Sequence, residues 1–263
     1  MHPYIRSRPR PASLAARLLL PLLLLLLLVA TIASAAALRF EFSAFGSFKR
    51  MAHTADASGQ VRLSALPQTS GHWGVGALAG MKGEVLLHDG RLLVSRGDEP
   101  QGRVAPARLD DEAALFVVAR VERWDEVPLP SNMNQRQFEA FVTAQARARG
   151  LDDSVPYPVL VEGRYPSITW HVVTGQSSAA AAPVAGQGQP GGHANQHAAM
   201  RVFNETNANG WLVGVYSGAR FEGVVSHPGD RFHLHYADQA LGVSGHVDAV
   251  TFAKGAVLRL PLR

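Results

Sequence analysis

The chain is 263 residues long and 47% hydrophobic, with no cysteine, so it can build a sizeable core but holds no disulfide and no thiolate metal site. Its formal charge of +4 resides in the first 35 residues, where Arg6, Arg8, Arg10 and Arg17 meet no Lys, Asp or Glu; the 25 basic residues less these four leave 21, against 21 acidic. That neutral remainder has no basic patch, which argues against a nucleic-acid partner.

The four arginines precede an apolar run from Leu18 to Ile32, and Ala33-Ser34-Ala35 supplies small residues for cleavage. This predicts a signal peptide over residues 1–35 and export to the periplasm or beyond. The run of 15 residues falls short of the roughly 20 that span a bilayer, which favours cleavage over an uncleaved anchor. Membrane contact is therefore expected only through this segment.

Beyond it, Leu38 to Phe42 alternates like a short strand. From Gly71 to Val94 two β-rich runs flank Asp89-Gly90, a hairpin signal because both turn positions favour positive φ. Glu84, Leu86 and His88 share one strand face there. Glu84 among apolar neighbours is either at a strand end in solvent or a site residue. Leu115 to Val121 reads as a buried strand. Asn134 with Gln137 resembles a capping box opening a helix over about residues 134–149; Phe138, Phe141 and Val142 form its apolar stripe and Gly150 ends it. Tyr157 to Val173 is strand-like, with Ser167, Thr169 and His171 on one face, and His171 alone reads as a bonded core or rim histidine. Residues 175–204 are dominated by Gly, Ala, Gln, Pro and Ser, the composition of a flexible linker or loop. His193 and His197 inside it read as solvated. Trp211 to Tyr216 is a further strand.

The chemistry concentrates after that. In Arg231-Phe232-His233-Leu234-His235-Tyr236 the two histidines share a strand face, about 6–7 Å apart at roughly 3.3 Å per residue. A Gly-punctuated turn leads to His246-Val247-Asp248-Ala249-Val250-Thr251-Phe252, and an antiparallel return places His246 opposite the pair. Three neutral imidazoles with an open fourth position suit a catalytic zinc. The alternative is three half-buried strand histidines bonded to nearby backbone.

These residues carry a resemblance. Gly210-Trp211-Leu212-Val213-Gly214-Val215-Tyr216, then Pro228-Gly229-Asp230-Arg231-Phe232-His233-Leu234-His235-Tyr236-Ala237-Asp238, then Gly245-His246-Val247 resembles the C-terminal zinc region of the acetolactate decarboxylases. Trp73-Gly74-Val75-Gly76 through Gly83-Glu84 and Asp89-Gly90 looks like the same family's N-terminal approach. The resemblance covers roughly residues 65–175 and 205–255. It implies a two-domain α/β (α+β) protein: a mixed-sheet part over 36–174, the linker over 175–204, and a β-rich, barrel-like part over 205–263 carrying the metal hairpin. It implies one zinc, or another divalent ion, on His233, His235 and His246, with Glu84 near the metal as the proton relay. The implied reaction converts 2-acetolactate, a β-keto acid, to acetoin and carbon dioxide. The implied partner is that small molecule or a related keto acid, and the assembly allows a homodimer.

Two departures stand out. The family's middle-strand arginine, suited to gripping a substrate carboxylate, aligns with His171, so His171 is expected beside the substrate; Arg164 and Arg231 are candidates to supply the missing cation, though nothing in the sequence requires it. The family's C-terminal tail brings another carboxylate, whereas this chain ends at Arg263. These differences keep open a second expectation, a metal-binding member with another substrate or without turnover.

Overall fold

Alternating and fully apolar runs dominate the chain, and in a computed structural model, which describes residues 40–176 and 198–262, they fold as two seven-stranded sheets. The expected signal peptide and both His193 and His197 lie outside the described residues. The first sheet contains β1 (Phe40–Phe45), β2 (Val61–Arg62), β3 (His72–Leu78), β4 (Gly83–His88), β5 (Arg91–Arg96), β6 (Val104–Ala105) and β7 (Glu112–Val121). Its order is β1-β7-β3-β4-β5-β6, with β2 also on β7. The β4–β5 hairpin turns through Asp89 at φ 48° and Gly90 at φ 80°, as a two-residue turn with both φ positive requires. A short helix, α1 (Phe48–Thr54), follows β1 and is capped by the Ser47 side chain, which accepts from the Arg50 N–H.

The second sheet contains β8 (Trp124–Pro128), β9 (Met133–Asn134), β10 (Tyr157–Gln176), β11 (Ala198–Tyr216), β12 (Phe232–Asp238), β13 (Ser244–Phe252) and β14 (Val257–Pro261). Its order is β8-β14-β10-β11-β12-β13-β9, and β13 pairs with β10 as well as with β12, so the sheet curls back on itself. Helix α2 (Gln135–Ala148) begins with the full Asn134–Gln137 capping box. It ends as Gly150, at φ 70°, donates to the Arg147 carbonyl and Leu151 donates to that of Ala146. Its Phe138 stacks on Phe252 with ring centroids 3.9 Å apart. A last short helix is α3 (Gly218–Phe221).

The β-rich α+β class holds, but the ladders of both sheets are antiparallel, where a mixed sheet was expected. The boundary between the sheets falls between Val121 and Trp124, not in the 175–204 stretch. Residues 198–204 of that stretch belong to β11: Met200 pairs with Val173 and Asn204 with Thr169, so backbone pairing to β10 overrides a composition that favours loop. The sheets meet through a shared apolar cluster in which Val75, Leu86 and Leu93 pack with Leu160, Val213 and Ala237. No helix among the described residues is long and apolar enough to cross a membrane.

Candidate metal centre

The site is a row of imidazoles across three neighbouring strands of the second sheet. His171 on β10 is in register with His246 on β13, and His246 with His235 on β12. Residues directly opposite across an antiparallel pair point to the same face, so the three rings converge. His233, two residues before His235, joins them from the same face. Ring centroids lie 5.1 Å apart for His233–His235, 5.4 Å for His233–His246, 5.7 Å for His235–His246 and 4.9 Å for His171–His246. All four histidines are buried.

Glu84 arrives from the other sheet. It is 4% exposed, which removes the reading of a solvated strand end. Its Oε1 accepts from the Val173 N–H at 3.4 Å, Oε1 lies 3.9 Å from His171 Nε2, and Oε2 lies 3.6 Å from His235 Nε2. The structure thus brings Glu84, His171, His233, His235 and His246 into one cluster.

Two neighbours were missed by the sequence reading. Asp248 lies 2.7 Å from His171 Nδ1 and 3.6 Å from His246 Nδ1. It is the extra residue at an irregularity in the β10–β13 ladder, where Trp170 pairs with Val247 and Thr169 with Ala249. Such bulges re-aim side chains beside sites. The signal available was its place two residues after His246. His227, in the turn before β12, packs edge-on to His246 with centroids 5.2 Å apart and lies against Phe48 of α1; an irregular turn offers no periodicity that would have revealed it.

Hydrogen bonds fix which nitrogens are free. His233 Nδ1 faces the Val225 carbonyl at 3.0 Å, and since a carbonyl only accepts, Nδ1 carries the proton and Nε2 the lone pair. That Nε2 lies 3.2 Å from His235 Nε2. Two nitrogens bound tetrahedrally to one ion at about 2.0–2.1 Å stand roughly 3.3 Å apart, so this pair fits a single ion. His235 Nδ1 is buried without a hydrogen-bond partner. Three other candidate donors, His171, His246 and Asp248, have their ligand atoms all within 4.8 Å of one another. Among them, His171 Nδ1 and the Asp248 carboxyl share a hydrogen bond, as His235 Nε2 and His233 Nε2 do at 3.2 Å.

The electrostatics are those of a dry site. Burial, and next the neighbouring His246, push His233 down to about 3 from an ordinary 6.5. Burial, then His233, hold His235 well below its ordinary value. Both imidazoles are neutral and ready to ligate. Burial raises Glu84 well above the usual carboxylate range, against the opposing hydrogen bond from Val173. Burial works on Asp248 in the same direction, but the hydrogen bond from His171 and the nearby His246 outweigh it and hold its carboxyl below the usual range. The site thus holds one carboxyl that keeps its proton and one that stays ionised.

Neither arginine proposed from the sequence reaches the cluster. Arg164 donates to Asn207 Oδ1 at 3.0 Å, and Arg231 Nε pairs with Glu222 at 3.2 Å.

A family model for alpha-acetolactate decarboxylase matches residues 53–260. The fold is similar to that of acetolactate decarboxylase from Bacillus subtilis subspecies spizizenii, with a TM-score of 0.62 and 17% identity over 84% of this chain and 86% of that one. It is similar too to alpha-acetolactate decarboxylase from Bacillus subtilis strain 168, with a TM-score of 0.64 and 18% identity over 84% and 86%. A protein of unknown function similar to alpha-acetolactate decarboxylase, from Staphylococcus aureus, matches with a TM-score of 0.59 and 16% identity over 83% and 84%. No curated protein sequence matches the chain.

Proposed function

The chain belongs to the alpha-acetolactate decarboxylase family, and from that premise we propose that it decarboxylates 2-acetolactate to acetoin and carbon dioxide at a zinc ion held by His233, His235 and His246. The observation that carries this reading is the convergence of buried imidazoles on one sheet face with the buried Glu84 carboxyl delivered from the other sheet.

A divalent ion bound there supplies Lewis acidity to the oxygens beside the scissile bond, and zinc suits the imidazole donors. The chain supplies the rest. Val225 orients His233 so that Nε2 faces inward. The buried walls around the histidines exclude water, which strengthens every electrostatic contact inside. When the bond from C2 to the carboxylate carbon breaks, its electron pair remains on the C2–C3 unit and carbon dioxide departs. C2 then needs one proton. Glu84 retains its proton through burial and delivers it to one face, giving acetoin and fixing the configuration at the new centre. Substrate anion plus one proton balances acetoin plus carbon dioxide.

One observation favours a second reading. His171, where the family pattern has arginine, spends Nδ1 on Asp248, and Arg164 and Arg231 are engaged elsewhere. With neither arginine at the cluster to grip a carboxylate, a different small keto or hydroxy acid is the second reading. Acetoin formation from racemic acetolactate by the purified, zinc-loaded protein, beside a His233→Ala/His235→Ala control, decides between the two. Acetoin above the spontaneous rate and absent in the control establishes the first. None from folded, zinc-bound protein establishes the second.

A further inference from the structure

His171 has the support of a metal ligand rather than that of a substrate grip. Its side chain is 6% exposed and lies in the imidazole row with His246 and His235. Its Nδ1 faces the Asp248 carboxyl at 2.7 Å; a carboxylate oxygen accepts, so Nδ1 is the donor in this pair and Nε2 is turned to the cluster. That nitrogen faces Glu84 Oε1 at 3.9 Å. The gap is too long for a hydrogen bond. His171 also offers a ligand atom within 4.8 Å of those of His246 and Asp248. An imidazole with its outer nitrogen tied to a carboxylate or carbonyl and its inner nitrogen bare is the arrangement that orients metal-bound histidines. His233 has it through Val225, and His171 has it through Asp248.

We propose that His171 is a further ligand of the metal through Nε2 and that Asp248 is the positioning residue that fixes its ring and tautomer. This rests on the metal reading above. It turns the replacement of an arginine by histidine from the loss of a grip into a change of coordination sphere: a position that a substrate oxygen would take is contested by a side chain of the protein.

The test uses the full chain, stripped of metal and titrated with zinc against a competing chelator, with nitrogen neighbours of the bound ion counted by X-ray absorption. The variants are His171→Ala, Asp248→Ala, the pair His233→Ala/His235→Ala, and Asp125→Asn, whose side chain pairs with Arg149 away from the cluster. Asp248→Ala is expected to weaken zinc binding by about 10–100-fold. His171→Ala is expected to weaken it at least as much and to remove one nitrogen neighbour, while Asp125→Asn changes nothing. Unchanged affinity and neighbour count in His171→Ala, with binding lost in the double variant, overturn the proposal and leave the metal reading standing. Undiminished zinc in the double variant overturns the metal reading itself. Should His171→Ala fail to fold by circular dichroism, Asp248→Ala decides, because its position at the bulge is partly exposed.

Discussion

Acid should unfold the metal-free protein through its neutral buried histidines, and His233 provides a worked case. Its imidazolium form is suppressed to a pKa of about 3, against 6.5 when unfolded, burial being the main cause. Between those values the unfolded chain binds a proton that the folded one does not. The stability due to neutral His233 is therefore complete above pH 6.5 and is lost as pH falls towards the folded value. From about pH 6.5 to about pH 4.5 is two pH units, or about 2.7 kcal/mol at roughly 1.36 kcal/mol per unit. For a domain of this size that is roughly 5–11 °C in Tm. His235 is shifted the same way and adds to the loss. Glu84 works in the opposite direction: its raised pKa gives a contribution complete below the ordinary 4.5 and lost as pH rises through the folded value. The informative quantity is thus the difference between wild type and His233→Gln, which removes one titrating group and leaves the others. Thermal unfolding with chelator present should show wild type losing several degrees more than His233→Gln between the two pH values. Equal losses would refute the reasoning, since His233 would then not be held neutral by burial.

Other outcomes follow from the packing around the site. Gly214→Ala should displace β12 and weaken zinc binding, because a Cβ at Gly214 would stand 1.9 Å from the His233 carbonyl oxygen; a chelator competition measures it. Phe138→Ala, at a fully buried position stacked on Phe252, should cost about 3–5 kcal/mol in urea unfolding while zinc stoichiometry is retained. Glu84→Gln should lower kcat for acetoin formation by at least about 100-fold with zinc still bound, as expected for loss of a general acid. His171→Arg should raise kcat/KM on acetolactate only when combined with Asp248→Ala, because the retained carboxylate would otherwise capture the new guanidinium.

Much of this was legible because strands have a strict period of two. His233 and His235 had to share a face, and the return strand had to bring His246 across from them; the ladder pairs His235 with His246. The Asn134–Gln137 cap and the Asp89-Gly90 turn were legible for the same local reason, since each residue type is chosen by a backbone geometry within a few positions of it. What could not be read depends on contacts between distant segments. The burial of Glu84 comes from packing of one sheet on the other, which a strand pattern does not report. The strand over 198–204 is built from residues whose composition favours loop and is held by its pairing to β10. The division after residue 174 followed composition, whereas the chain changes sheet between residues 121 and 124.

Register explains why the bulge lies where it does. β13 bonds β12 through residues 244–246 and β10 through 246–251, so His246 is the residue at which both ladders overlap. A slip by one residue against either neighbour would turn His246 to the opposite face and break the row of imidazoles. An irregularity before His246 would have the same effect. The irregularity instead follows it, between the Trp170 and Thr169 pairings, so the row His171–His246–His235 stays aligned while the extra residue, Asp248, reaches back to His171 Nδ1. The bulge and the imidazole at position 171 therefore act together. With an apolar side chain at 171, Asp248 would lose the hydrogen bond that offsets its burial. Without Asp248, the ring of His171 would have no fixed tautomer. Coupling of this kind is measurable as non-additivity: zinc affinities of His171→Ala, Asp248→Ala and the double variant should show the double little weaker than His171→Ala alone.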